Sequence, residues 1–302
     1  MIVHQDTKVY KSVQDCEIRA EVWWSTDQLD RLPVVFWIHG GALMVGSRKW
    51  INEWQLQQYI SNGSVVVSAD YRLAPESKLV AIIEDIQDAY KWVQTVCPEY
   101  YPVDPGRVAV IGHSAGGYLA LMMGFCVIPR PKALVSFYGY GDIVGKWYSR
   151  PDPFYCLQPA VSYEQACAVV ERKEISEASK DRYLFYLYCR QHGLWPKEVS
   201  GHDPYEEPEF FNAFCPLPNV TRDFPPTLLL HGDSDTDVPY QQSVLMAGAL
   251  TQSKVEHEFI TIPDGEHAFD EEMNNPLVNK AFQAVIDFLN KHLKPTTHSH
   301  VD

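Results

Sequence analysis

Short, nearly continuous hydrophobic runs alternate with longer stretches of helical period, and that alternation is the strongest constraint on how this chain folds. The runs cover residues 17–25, 33–38, 64–69, 107–111, 133–138, 227–230 and 256–262. Unbroken apolar runs of this length suit strands that are buried on both faces. Between them, residues 79–96 carry Val80, Ile83, Ile86, Ala89, Trp92, Val93 and Val96, a spacing that fills one face of a helix. Residues 118–126, 241–250 and 278–293 read the same way. The pattern predicts an α/β domain, a mostly parallel sheet flanked by helices. Its 302 residues, 46% of them hydrophobic, are enough for one large core and do not force a second domain.

One interval interrupts the alternation. Residues 141–223 contain no good strand, but they are rich in Tyr, Phe and Trp and hold helix-like stretches at 163–174 and 179–192. Long connections inside compact domains usually serve the site, and disordered segments lack this aromatic content. The expected organisation is a body of residues 1–140 and 224–302, with a mainly helical cap at 141–223 inserted after the strand near 133–138.

Charge and cysteine usage narrow the function. A formal charge of −14 argues against nucleic acid, which needs a basic face, and disfavours anionic lipid. The first residues, MIVHQDTKVYKSVQD, lack the basic start and apolar run of a secretory signal. No stretch is long and apolar enough for a membrane helix. The seven cysteines are scattered and odd in number, and none sits in a CxxC pair. They read as reduced thiols in a reducing compartment, hence the cytoplasm. The tail residues His298 and His300 read as a polar end rather than a metal site.

Gly112-His113-Ser114-Ala115-Gly116 fits G-x-S-x-G. It follows the apolar run VAVI and precedes a helix opening, YLALMM. A strand-to-helix turn this tight strains the serine and needs small neighbours. It also leaves the Ser114 hydroxyl at a helix N-terminus, where developing negative charge is favoured. His39-Gly40-Gly41-Ala42 follows another strand, and its two glycines let backbone N–H groups face a bound carbonyl. Gly40 and Gly41 therefore pair with Ala115 as the expected oxyanion hole. His39 is expected to fix the loop by hydrogen bonding.

A nucleophilic serine needs a base, and the base needs an orienting acid. On a strand–turn–helix of the α/β-hydrolase kind the chain order is Ser, acid, His. That order removes His4, His39 and His113, and His113 is expected to project away from the turn. His257 lies inside the predicted last strand, His292 ends the last helix, and His267 remains, in a turn just after that strand. For the acid, HGDSDTDVP at 231–239 offers Asp233, Asp235 and Asp237. Asp235 is favoured because its place in the turn aims it at the His267 loop. Asp233 and Asp237 then serve as turn formers or helix caps. The choice among the three draws largely on family resemblance.

HGGA at 39–42, DYRLAPE at 70–76, GHSAGG at 112–117, HGDSDTDVP at 231–239 and His267-Ala268-Phe269 together resemble the hormone-sensitive-lipase-like carboxylesterases of the α/β-hydrolase fold. The likeness spans roughly residues 30–140 and 224–292. It implies Ser114 as nucleophile, His267 as base, Asp235 as acid, and Gly40, Gly41 and Ala115 as oxyanion donors. It further implies a small-molecule acyl substrate, no cofactor, no metal, and compatibility with a homodimer. Arg72 and Glu76 are implied to pair structurally rather than touch substrate. The chain departs from the family at Ala42, where a third glycine is usual, at His113, where an acidic residue is usual, and in lacking an N-terminal helical cap. Several of the same motifs also resemble acetyl-esterase and kynurenine-formamidase-like hydrolases. The expected reaction is ester hydrolysis through an acyl-enzyme. The alternatives are an amidase, formamidase, thioesterase or acyltransferase with the same residues, and more remotely a non-catalytic receptor.

Overall fold

The computed structural model describes residues 2–25 and 30–295, so the tail histidines lie outside the described residues. Eight strands form one sheet: β1 (Val3–Val13), β2 (Cys16–Ser25), β3 (Leu32–Ile38), β4 (Val65–Ala69), β5 (Val103–His113), β6 (Ala133–Phe137), β7 (Thr227–Gly232) and β8 (His257–Ile262). Their spatial order is β1-β2-β4-β3-β5-β6-β7-β8. β1 and β2 pair antiparallel, as do β2 and β4, and every pairing from β4 through β8 is parallel.

The strand period sorts side chains to two faces. In β3, Val34, Phe36 and Ile38 join a core beneath the helices Leu79–Thr95 and Ala115–Cys126, whereas Val35 and Trp37 face the helices Glu53–Ser61 and Pro276–His292. All four central strands β3, β4, β5 and β6 are covered on both sides, which explains their unbroken apolar runs.

Two elements were not legible as hydrophobic runs. β1 carries Asp6, Lys8 and Lys11 along an edge strand, where Lys8 is exposed and Lys11 pairs with Asp85 and Asp88, and charges on an edge block further pairing. The helix Glu53–Ser61 is short, but Asn52 accepts from the N–H groups of Trp54 and Gln55, and Leu56, Tyr59 and Ile60 make its buried face. That cap and spacing were the available signals.

Between β6 and β7 the chain forms only short helical pieces, chiefly Tyr163–Cys167, Tyr183–His192 and Trp195–Ser200. The stretch expected to be helical over 163–174 stops early. Beyond it the Glu171 N–H donates to Glu76, and the Glu174 carboxylate accepts from Arg72 and Ser77. Arg72 and Glu76 are indeed both paired, though not with each other. Arg72 forms a bidentate pair with buried Asp85 at 2.8 and 2.9 Å, and Glu76 takes two bonds from Arg182 at 2.6 and 2.7 Å.

The segment after β6 also grips the turn that follows β3. Arg182 Nε donates to Met44 O at 3.0 Å, and Trp195 Nε1 donates to Ala42 O at 2.9 Å. Gly46 and Ala178 exchange both backbone bonds. Arg182 and Glu76 are both nearly excluded from water. Removing one member of such a pair strands the other charge, so Arg182→Ala is expected to cost about 3–5 kcal/mol. Urea unfolding followed by circular dichroism measures this, and a loss near zero contradicts it.

Candidate active site

Ser114 sits between the end of β5 and the helix Ala115–Cys126, at φ 55 and ψ −118. A non-glycine residue in this region costs about 1–3 kcal/mol and persists only where its surroundings impose it. They do so here by backbone contact. A Cβ on Gly112 would lie 1.9 Å from Gly116 O, and one on Gly116 would lie 2.1 Å from Ile38 O. Both neighbours must therefore be glycine, and the Ser114 N–H donates to Phe137 O on β6 at 2.9 Å.

The loop after β3 is pressed onto this turn. A Cβ on Gly40 would meet His113 O at 2.7 Å and the Ser114 Cβ at 3.2 Å. Gly41, Ala42 and Leu43 all have positive φ, and the Met44 and Val45 N–H groups close back on Gly41 O. The N–H groups of Gly40, Gly41 and Ala115 donate to no other group among the described residues. His39 is fully buried, stacks on Tyr71 with ring centroids 4.2 Å apart, and lies 2.7 Å from Gly40 O through Nδ1. Burial pushes its pKa down to about 4, so it stays neutral and Nδ1–H donates.

The other two expected residues converge on the serine. His267 Nδ1–H donates to Asp235 Oδ2 at 2.8 Å. A carboxylate only accepts, so Nε2 is left bare to accept the Ser114 hydroxyl at 3.1 Å. Asp235 Oδ1 accepts the N–H groups of Asp237 and Val238, both at 2.9 Å. Burial opposes the Asp235 charge, but the bonds from His231 and His267 outweigh it and hold the carboxyl well below the usual carboxylate range. His231, which pattern reading passed over, is the hidden support. Its Nε2 contacts Asp235 at 3.1 Å, and its Nδ1 meets Ser243 Oγ at 2.7 Å.

The neighbouring aspartates divide differently from expectation. Asp233 ties this turn to the loop after β8, accepting the Asp264 N–H at 2.7 Å. Asp237 is neither turn former nor cap. It accepts from Tyr186 and Arg190, and its Oδ2 stands 3.5 Å from His267 Nε2. His113, beside the serine, is also among the residues lining the cavity. Its ring stacks on Phe137, and Nε2 comes within 3.1 Å of buried Asp270 without hydrogen-bond alignment.

Ser114 and His267 open into a cavity of about 600 Å³. Of the aromatic residues within 141–223, Tyr183 and Tyr186 line it. Phe185, Trp195 and Phe211 are core, and Phe210 and Phe214 pack against it. The remaining aromatic walls are Trp37, Trp50 and Tyr138, all outside residues 141–223. Arg72 and Glu76 do not reach the cavity. Among the described residues, no group of His, Cys, Asp and Glu is arranged to hold a metal ion, and no helix is long and apolar enough to cross a membrane.

With a strained serine on a strand-to-helix turn, a histidine and aspartate behind it and a parallel sheet beneath, the chain belongs to the alpha/beta hydrolase fold family, whose model matches residues 35–271. Its curated relatives include the non-reducing polyketide synthase Preu6 of Preussia isomera, 28% identical over 87% of this chain, and prhL of Penicillium brasilianum, 27% identical over 97%. The chain spans only 14% of either protein's length. Among solved structures it is similar to a protein of unknown function from Staphylococcus aureus, with TM-score 0.77 and 20% identity over 96% of this chain and all of that one. It is also similar to an alpha/beta hydrolase superfamily protein from Enterococcus faecalis, with TM-score 0.75 and 23% identity over 95% and 99% of the two chains. A third is the esterase Est2 of Thermogutta terrifontis, with TM-score 0.68 and 20% identity over 97% and 94%.

Burial disfavours the His267 imidazolium, but the charges of Asp237 and Asp235 outweigh burial and raise its pKa. Titration of the His267 ring proton by NMR should give a pKa above the ordinary value of about 6.5. In Asp237→Asn, with one negative charge gone, the imidazolium loses support and the pKa should fall. A wild-type pKa below the ordinary value contradicts this.

Proposed function

We propose that this protein is a serine hydrolase that cleaves carboxylic esters of small or medium size through an acyl-enzyme. The observation that carries the reading is the continuous chain of contacts from Ser114 Oγ through His267 to Asp235, at 3.1 and 2.8 Å, beside three unengaged N–H groups. His267 takes the Ser114 proton as Oγ attacks the acyl carbon. Asp235 holds the ring in the productive tautomer and stabilises the imidazolium. The oxyanion is received by the N–H groups of Gly40, Gly41 and Ala115, each worth about 2.7–4 kcal/mol of barrier. His267 then protonates the leaving group, and water releases the acid. The resemblance to hormone-sensitive-lipase-like carboxylesterases supports the same assignment. The presence of Ser114, His267 and Asp235 together weighs against a receptor role. Residues 141–223 act as the cap, contributing Lys180, Tyr183 and Tyr186 to the cavity. The free state of all seven cysteines suits a cytoplasmic setting.

A second reading has its own support. The sequence relatives are polyketide synthases, and the cavity walls Trp37, Trp50, Tyr138, Tyr183 and Tyr186 suit a flat acyl group. On this reading the acyl group is polyketide-derived and is cleaved from a thioester by the same residues.

A panel of p-nitrophenyl esters of increasing acyl length, beside matched thioesters and amides, separates these readings. Activity should be lost about a million-fold in Ser114→Ala and about ten-thousand-fold in Asp235→Asn. Fluorophosphonate should label wild-type Ser114. A wild type that turns over none of the panel and takes no label sinks the proposal. A preference for aromatic thioesters over esters promotes the second reading.

A further inference from the structure

Asp237 stands beside His267, the mechanism above leaves it without a role, and its surroundings are built. Oδ1 is held by the Tyr186 hydroxyl and by Arg190, whose nitrogen lies 2.7 Å away. Arg190 is itself wholly buried, paired with Asp152 at 2.7 Å on its other side. It is packed against the rings of Trp147, Tyr148, Tyr155 and Tyr186 at 4.4–5.6 Å from their centroids. A guanidinium stays charged in such a cage and fixes the Asp237 carboxylate in place. With Oδ1 fixed, Oδ2 points at His267 Nε2 from 3.5 Å and faces the cavity.

Asp235 keeps the proton on Nδ1, so Nε2 presents a lone pair. Oδ2 also only accepts. Two acceptors therefore face each other, and in the free protein the Ser114 hydroxyl is the donor to Nε2. Once Ser114 is acylated that hydroxyl no longer exists, and the pair is left with no donor at all. A molecule with two hydrogens on one atom can satisfy both. Water is such a molecule; a simple alcohol, with one hydroxyl hydrogen, is not.

We infer that Asp237 is a catalytic residue of deacylation, holding the attacking water through its second hydrogen and so favouring hydrolysis over transfer to alcohols. The inference depends on the acyl-enzyme reading of Ser114. In the step, the water oxygen bonds to the acyl carbon while one of its protons passes to His267 Nε2. The other proton stays on that oxygen, hydrogen-bonded to Asp237 Oδ2. The tetrahedral intermediate collapses, the carbon–Oγ bond breaks, and the Nε2 proton returns to Ser114 Oγ. The carboxylic acid departs, and its ionised form is repelled by Asp237.

The test is the partition of the acyl-enzyme between water and added methanol, using p-nitrophenyl acetate and measuring methyl acetate against acetate. In Asp237→Asn, Arg190 and Tyr186 keep the amide oxygen at the Oδ1 position, so an NH₂ donor replaces the Oδ2 acceptor. Loss of one charge-assisted hydrogen bond to water should raise the methyl acetate to acetate ratio about ten-fold. Nitrophenolate release should persist. Asp237→Ser, which withdraws the acceptor without supplying a facing amide, should shift the ratio in the same direction and serves if the asparagine variant does not fold. A ratio that stays at the wild-type value in a variant that still turns over the ester overturns the inference while leaving the serine-hydrolase reading intact. A wild type that releases no nitrophenolate and takes no fluorophosphonate at Ser114 overturns both.

Discussion

The turn at Ser114 depends on backbone packed directly against backbone. Gly116 lies so close to Ile38 O, and Gly112 to Gly116 O, that no side chain fits at either position. This contact brings the end of β5, the start of the helix Ala115–Cys126 and the end of β3 into one knot. It holds Ser114 at a positive φ that the residue would not adopt by itself. It also sets the Gly40 backbone beside the Ser114 side chain, so the unengaged N–H groups and the hydroxyl share one small volume. The sheet provides the rigidity for this arrangement, since β3 and β5 are adjacent, parallel and buried on both faces.

The segment between β6 and β7 contributes more than a wall of the cavity. Arg182 and Trp195 hold the carbonyls of Met44 and Ala42, so a loop with several positive φ values is braced from outside. Arg190 reaches the other side of the site and pairs with Asp237 beside His267. Both arginines are buried, and each joins this segment to a turn at the C-terminal edge of the sheet. Stability of the segment and geometry at Ser114 are thereby linked through charged groups that cannot be removed singly without leaving a partner unpaired.

Much of the fold could be read from pattern, and the reasons are local. Buried parallel strands must be apolar throughout, so β3, β4, β5, β6 and β7 announce themselves. β1 does not, because an edge strand carries an exposed Lys8, and a Lys11 paired with Asp85, where a core strand would carry valine. Ser114 was legible because its turn demands glycines at fixed positions, and His267 because few histidines follow the last strands in a suitable loop. Residue pattern alone left Asp235 hard to separate from its neighbours, and family resemblance carried most of the choice, since three aspartates in five residues look alike in one dimension.

The sequence by itself therefore determined the sheet's core strands, the strained serine turn and the loops that supply its partners, because each follows from steric or periodic rules spanning a few residues. Tertiary structure decided which carboxylate faces which nitrogen. Asp235 and Asp237 are two residues apart, yet one meets His267 Nδ1 and the other stands by Nε2. His231 behind Asp235, Arg190 behind Asp237, and His113 against Asp270 were likewise fixed by contacts between segments distant in the chain or folded back on one another. Such pairings depend on direction and burial in three dimensions, and residue spacing carries neither.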